Sequence, residues 1–121
     1  MAQEPWIGVD LDGTLAEYGG LQGHEHIGKP VPAMLQLVKE WLAEGIKVKI
    51  FTARVSGDKA DSERARHYIK KWLEEECGIE GGLDITCIKD YYCLELYDDM
   101  AIQVEFNTGK LVGNSTREHR R

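Results

Sequence analysis

The sequence predicts an α/β fold, a three-layer Rossmann-like sandwich with a mainly parallel central sheet. Two observations predict it. Apolar runs of strand length alternate with segments whose apolar residues recur at helical spacing, and a chain of 121 residues is long enough for one domain but short for two. We assign residues 1–108 to a single domain and residues 109–121 to a polar, basic C-terminal tail.

The first strand and the first helix follow from the hydrophobic pattern. A nearly continuous apolar run near the N-terminus is typical of a strand buried on both faces of a parallel sheet; it comprises Trp6, Ile7, Val9 and Leu11. A helix is predicted after Pro30 and Pro32 and before Gly45, because proline suits the start of a helix and glycine its end. Its apolar stripe comprises Met34, Leu35, Val38, Trp41 and Leu42.

The remaining elements continue the alternation. A second strand is expected over residues 46–51, and a second helix follows it and ends at Gly78. Three residues could cap the start of this helix: Ser56, Asp58 and Asp61. Further strands are expected over residues 83–88, 93–97 and 102–106. Residues 89–92 are too few for a helix between the third and fourth strands.

Charge and cysteine content exclude several classes of protein. Lysine and arginine number 15 against 21 acidic residues, a net charge of -6, which opposes a strongly basic nucleic-acid binder. No apolar run approaches the ~18 residues of a membrane span, and no signal-peptide pattern is visible, so no membrane partner is expected. The three cysteines form no C-x-x-C pair and indicate free thiols in a reducing, cytoplasmic environment.

Chemically active side chains follow four of the predicted strands. In parallel α/β folds, ligands bind beyond the carboxyl ends of the strands. The residues expected there are Asp10, Asp12, Thr52, Arg54, Lys89, Asp98 and Asp99. Four carboxylates around one crevice would not all stay ionised without a cation. Mg²⁺ is the best candidate, because no cysteine or histidine grouping of the kind zinc prefers is present, and such a site suits a phosphoryl group.

The same residues resemble a known set of motifs. The run Asp10-Leu11-Asp12-Gly13-Thr14-Leu15 resembles the D-x-D-G-T signature of the haloacid dehalogenase-like phosphohydrolase superfamily. Thr52, Lys89 and the Asp98-Asp99 pair resemble its second, third and fourth motifs in order and position. The resemblance extends from about residue 6 to residue 106.

The resemblance implies a role for each matched residue. Asp10 would be the nucleophile that forms an aspartyl-phosphate, and Asp12 would be the general acid and base. Thr52 and Lys89 would be catalytic and would also bind the phosphoryl group, with Gly13 as a further substrate-binding residue. Arg54 follows Thr52 by two residues, so it could clamp a phosphate of the substrate or form a surface ion pair. The Mg²⁺ ligands would be Asp10, Asp12 through its backbone carbonyl, Asp98 and Asp99.

Relatives in this superfamily often carry a cap domain, and this chain has no room for one. Residues 17–29 are too few for a domain of even ~50 residues, and one helix occupies most of residues 55–82. The sequence therefore predicts a capless protein with an open site. A neighbouring subunit is one way to cover such a site, which leaves a homo-oligomer open.

The favoured function is a Mg²⁺-dependent phosphomonoester hydrolase acting on a small phosphorylated metabolite or nucleotide. A phosphatase for polynucleotide ends is an alternative suggested by Thr52-x-Arg54, although the net charge does not favour nucleic acid. A receiver-like phospho-switch or a catalytically silent binding domain is a further alternative. The motif order opposes a receiver, because Lys89 precedes the acidic pair. The roles of His24 and His26, in the loop after the first motif, stay open.

Overall fold

A computed structural model describes residues 3–113. The helices are α1 (Pro32–Ala43) and α2 (Lys59–Glu75), and Ala53–Val55 form one turn of 3₁₀ helix. The strands are β1 (Trp6–Asp10), β2 (Lys47–Phe51), β3 (Asp84–Thr86) and β4 (Cys93–Tyr97). Neither helix has both the length and the apolar character that a membrane span requires.

The four strands form one parallel sheet in the order β3-β2-β1-β4. This arrangement confirms the α/β class and the parallel sheet that the sequence predicts. α1 connects β1 to β2, and α2 connects β2 to β3, so that both crossovers step across the sheet in the same direction. Because such crossovers are right-handed, both helices are expected on the same face.

The hydrophobic core agrees with this placement. Ile7 and Val9 of β1 alternate with residues of the opposite face and belong to the core cluster. The helices contribute buried side chains to the same cluster, with Val38 from α1 and Ile69 from α2. Trp6 is almost fully buried but lies outside this cluster, on the other face of β1.

A connecting segment covers part of that other face. The indole Nε1 of Trp6 donates to the Asp90 carboxylate at 2.8 Å, and Lys49 Nζ lies 3.9 Å from the same carboxylate. The segment around Asp90, between β3 and β4, therefore covers part of this face. Within residues 3–113 no helix lies between β3 and β4, as the sequence predicts, and the three-layer arrangement stays a prediction.

The predicted fifth strand does not form. Residues 102–106 make only an isolated antiparallel bridge, between Val104 and Leu111, and they do not join the sheet. The Glu105 backbone N–H donates to the Lys110 carbonyl at 2.7 Å, and Asn107 takes a left-handed φ of 64°. A turn of Asn107-Thr108-Gly109 folds this segment back on itself. Residues 109–113, which the sequence places in the C-terminal tail, therefore belong to this hairpin. The rest of the predicted tail, residues 114–121, lies outside the described residues.

Candidate functional site

A cavity of about 510 Å³ opens beyond the carboxyl ends of β1 and β2. Its size is within the range of small-molecule sites. Most of the residues expected at the strand ends line it, namely Asp10, Asp12, Thr52, Arg54, Asp98 and Asp99. The parallel sheet is the reason for their proximity, because it brings the carboxyl ends of separate strands to one edge.

Three carboxylates form the most strongly charged part of the cavity. One oxygen from each of Asp10, Asp98 and Asp99 lies within 4.8 Å of the others. Burial raises the pKa of Asp10 to about 8, with further contributions from a hydrogen bond to Asp99 and from the negative charges of Asp98 and Asp99. Without a cation, Asp10 would therefore hold a proton near neutral pH.

This acidic cluster fits a hard divalent cation. Its donor atoms are carboxylate oxygens, the ligands preferred by Mg²⁺ and by other hard cations such as Ca²⁺ and Mn²⁺. A bound cation would also compensate the repulsion that raises the pKa of Asp10. The side chain of Asp12 is not a member of the cluster, which leaves its backbone carbonyl as the contact expected from the resemblance.

The loop after β1 is held in place by Gly13 and Thr14. Gly13 has a φ of +89°, and a Cβ at this position would lie 2.8 Å from an Asp99 carboxylate oxygen. The Thr14 hydroxyl accepts the Asp99 backbone N–H at 3.0 Å and lies 3.4 Å from Asp10 Oδ2. Thr14 thus ties the end of β1 to the segment after β4. Thr14 is the threonine of the D-x-D-G-T run, and no contact of its side chain was predicted from the sequence.

Arg54 holds the carboxylate of Asp12 in a bidentate ion pair. Its Nε and Nη2 lie 2.7 and 2.8 Å from the two Asp12 oxygens. The remaining N–H groups of the guanidinium point at the backbone carbonyls of Gly23, His24 and His26. Arg54 is only 8% exposed, and all five of its N–H groups have acceptors within the protein. In this arrangement Arg54 binds Asp12 and the loop and has no N–H left for a substrate.

Thr52 lies at the end of β2 and shapes the turn that carries Arg54. It is 3% exposed, and its backbone N–H donates to the Thr86 carbonyl of β3. Its hydroxyl oxygen accepts the Arg54 backbone N–H at 3.1 Å and caps the 3₁₀ turn. This contact leaves the hydroxyl hydrogen of Thr52 available to a ligand in the cavity.

Lys89 lies away from the cavity. The third strand ends at Thr86 and not at Lys89, because the Thr86 hydroxyl accepts the backbone N–H of Ile88 and turns the chain. The Lys89 side chain is exposed and is not among the residues that line the cavity. Within residues 3–113 it forms no ion pair. The structure therefore does not bring this lysine together with the acidic cluster.

A histidine–aspartate pair adds a second polar group to the cavity. His24 Nε2 lies 3.0 Å from Asp61 Oδ1, and both residues line the cavity. The nearby Glu25 pairs with Arg64 at 3.0 Å, so that the loop is tied to the first turns of α2. Asp61 was one of three candidate helix caps, but Asp58 takes that role by accepting the Asp61 backbone N–H. No sequence pattern indicated the pairing, because 37 residues separate the two.

No family model matches this chain, and no curated protein sequence matches it. The function proposed below is therefore supported by the residues of the site and by the motif resemblance alone.

Proposed function

We propose that this protein is a Mg²⁺-dependent phosphomonoester hydrolase of the haloacid dehalogenase-like type, without a cap domain. The observation that carries the proposal is the convergence of Asp10, Asp98 and Asp99 in a cavity at the carboxyl edge of a parallel sheet. Asp10, a member of this cluster, is also the residue that corresponds to the nucleophile in the D-x-D-G-T resemblance. The substrate is a small phosphorylated metabolite or nucleotide.

Asp10 is the nucleophile in this mechanism. One of its carboxylate oxygens attacks phosphorus, the bond from phosphorus to the leaving oxygen breaks, and an aspartyl-phosphate forms. Asp10, Asp98, Asp99 and the backbone carbonyl of Asp12 would hold Mg²⁺. When bound, the ion supplies positive charge beside the phosphoryl oxygens. With that charge present, Asp10 can ionise despite its neighbours.

Thr52 and Asp12 carry the other roles. The Thr52 hydroxyl donates its hydrogen to a phosphoryl oxygen. It can do so because the capping contact with the Arg54 backbone N–H uses only the hydroxyl oxygen. Asp12 protonates the leaving oxygen and later removes a proton from the water that attacks the aspartyl-phosphate. To do so, its carboxylate must separate from the Arg54 guanidinium, which orients it in the resting site, and take up a proton from water. Gly13 supports the loop, and Lys89 has to move toward the cavity to contribute.

The cellular setting is part of the same proposal. Cys77, Cys87 and Cys93 are all free thiols, which is typical of a reducing compartment, so we place the enzyme in the cytoplasm. The receiver-like and silent-binding alternatives find no specific support in the site.

Hydrolysis of an aryl phosphate tests the proposal. Activity should disappear with EDTA and return with Mg²⁺, and Asp10→Asn should abolish it because an amide is a poor nucleophile. Asp84→Asn is the matched control, since Asp84 is an exposed acid of β3 that does not line the cavity. Full activity after metal removal, or an active Asp10→Asn variant, would show that the proposed function is wrong.

A further inference from the structure

The part of the cavity beside the acidic cluster has a distinct chemical character. Tyr18, Leu21 and Met100 contribute partly exposed apolar surface to its lining. His24 and Asp61 line the same cavity and contribute hydrogen-bonding groups to it. A leaving group that extends from a phosphoryl group at the cluster would meet this mixed surface.

The charge of the cavity is unfavourable for a second anion. The acidic residues in its lining are Asp10, Asp12, Asp61, Asp98 and Asp99. The cationic side chain of Arg54 is already held by Asp12 and by the loop carbonyls. Among the described residues that line the cavity, there is no lysine and no second arginine. A divalent cation at the cluster would not neutralise Asp61, and a protonated His24 would only balance it.

The His24–Asp61 pair also has unused hydrogen-bonding capacity. Asp61 is half exposed, and only its Oδ1 contacts His24, so the other carboxylate oxygen faces no partner within residues 3–113. When His24 Nε2 donates to Asp61, His24 Nδ1 is an acceptor. This nitrogen is buried, and it has no hydrogen-bond partner in the described part of the chain. The free Asp61 oxygen, on a half-exposed side chain that lines the cavity, suits a donor such as a hydroxyl group.

We propose that the His24–Asp61 pair makes this enzyme selective for phosphomonoesters with an uncharged, hydroxyl-bearing leaving group, such as a sugar or a nucleoside. The same pair disfavours substrates that carry a second phosphate, because that phosphate would approach the Asp61 carboxylate with no cation to receive it. This inference rests on the proposed phosphatase function. The inference favours a phosphatase for small metabolites or nucleotides over a phosphatase for polynucleotide ends, because polynucleotides carry many phosphates.

Matched substrates test the selectivity. We would measure kcat/KM with Mg²⁺ for adenosine 5′-monophosphate against adenosine 3′,5′-bisphosphate, and for glucose 6-phosphate against glucose 1,6-bisphosphate. Each monophosphate should be favoured by about tenfold or more, and the preference should shrink as ionic strength rises. A 5′-phosphorylated oligonucleotide should be a poorer substrate than the mononucleotide.

Charge variants assign the selectivity to the pair. Asp61→Lys should lower the preference for each monophosphate by about tenfold, and Asp61→Asn should lower it by a smaller factor. Glu63→Lys is the matched control, because it makes the same charge change on α2 at an exposed residue outside the cavity. The preference of Glu63→Lys for monophosphates over bisphosphates should stay within about twofold of the wild-type value, since an exposed charge outside the cavity is screened by salt.

The outcomes separate this inference from the function on which it rests. An aryl phosphate that is not hydrolysed in Mg²⁺ would refute the phosphatase function itself. If the aryl phosphate is hydrolysed but bisphosphates or the oligonucleotide react as well as the monophosphates, the selectivity is refuted and the function stands. An unchanged preference in both folded Asp61 variants would show that the pair does not produce the selectivity.

Discussion

Arg54 and Asp12 form a bidentate ion pair, although 42 residues separate them in the chain. The same guanidinium donates to three backbone carbonyls of residues 23–26. One buried side chain therefore couples the orientation of the proposed general acid to the position of the loop that carries His24.

Arg54→Lys should impair turnover by roughly 10–100-fold, because an ammonium group cannot reproduce the planar two-point contact with a carboxylate. The loss should be largest for aryl phosphates with poor leaving groups, which depend most on protonation. Rates across a series of aryl phosphates check this. Arg64→Lys is the control, since Arg64 pairs with Glu25 at an exposed position. Equal losses for all leaving groups would contradict a role for Arg54 in positioning Asp12.

Asp12→Asn should lower the rate by roughly 10²–10⁴, the usual contribution of a positioned general acid–base group. The fold and much of the metal binding should persist, because the expected metal contact of this residue is its backbone carbonyl. With a good leaving group the variant should form the aspartyl-phosphate and hydrolyse it slowly. Mass spectrometry of the trapped protein should then find phosphate on Asp10. Phosphate on a serine, cysteine or histidine would contradict the mechanism.

Asp98→Asn and Asp99→Asn should each raise the Mg²⁺ concentration needed for half-maximal rate. Each change removes a negative charge from the cluster in which the carboxylate oxygens lie within 4.8 Å of one another. A titration of activity against Mg²⁺ measures the effect, with Asp84→Asn as the variant expected to match the wild type. An unchanged requirement in both variants would place the metal elsewhere.

Asp90→Asn should lower the melting temperature near neutral pH by a few degrees. The hydrogen bond from Trp6 holds the pKa of Asp90 below its usual value, with a further contribution from the backbone N–H of Tyr92. A lowered pKa in the folded state stabilises the protein above the ordinary pKa of 3.8, and the stabilisation is lost as pH falls through the folded value.

Thermal unfolding of the wild type and of Asp90→Asn from pH 7 to pH 3 checks the sign of this effect. The difference in melting temperature should shrink toward the acidic end. Glu80→Gln, a change at an exposed position, should show no such convergence. A difference that grows as pH falls would mean that the Trp6–Asp90 contact does not anchor the segment between β3 and β4.

The sequence predicted the parts of this protein that depend on local pattern. β1 and β2, both helices and the parallel sheet follow from short apolar runs that alternate with helical stripes. The acidic residues at the ends of β1 and β4 could also be predicted to meet, since the carboxyl ends of parallel strands share one edge. The segment after β4 was misjudged, because an alternating run such as residues 102–106 fits a hairpin as well as a sheet strand.

Only the tertiary structure decided which partner each polar side chain takes. The sequence left Arg54 open to a substrate contact or a surface ion pair, and the structure pairs it, buried, with Asp12 and the loop. Lys89 was expected at the cavity, yet the early end of β3 leaves it exposed. His24 meets Asp61 through the packing of a loop on a helix. The physical reason is that hydrophobic periodicity is repeated along the chain and can be recognised there. An ion pair between distant residues forms only where the folded backbone brings the two side chains together, and no local sequence pattern indicates this.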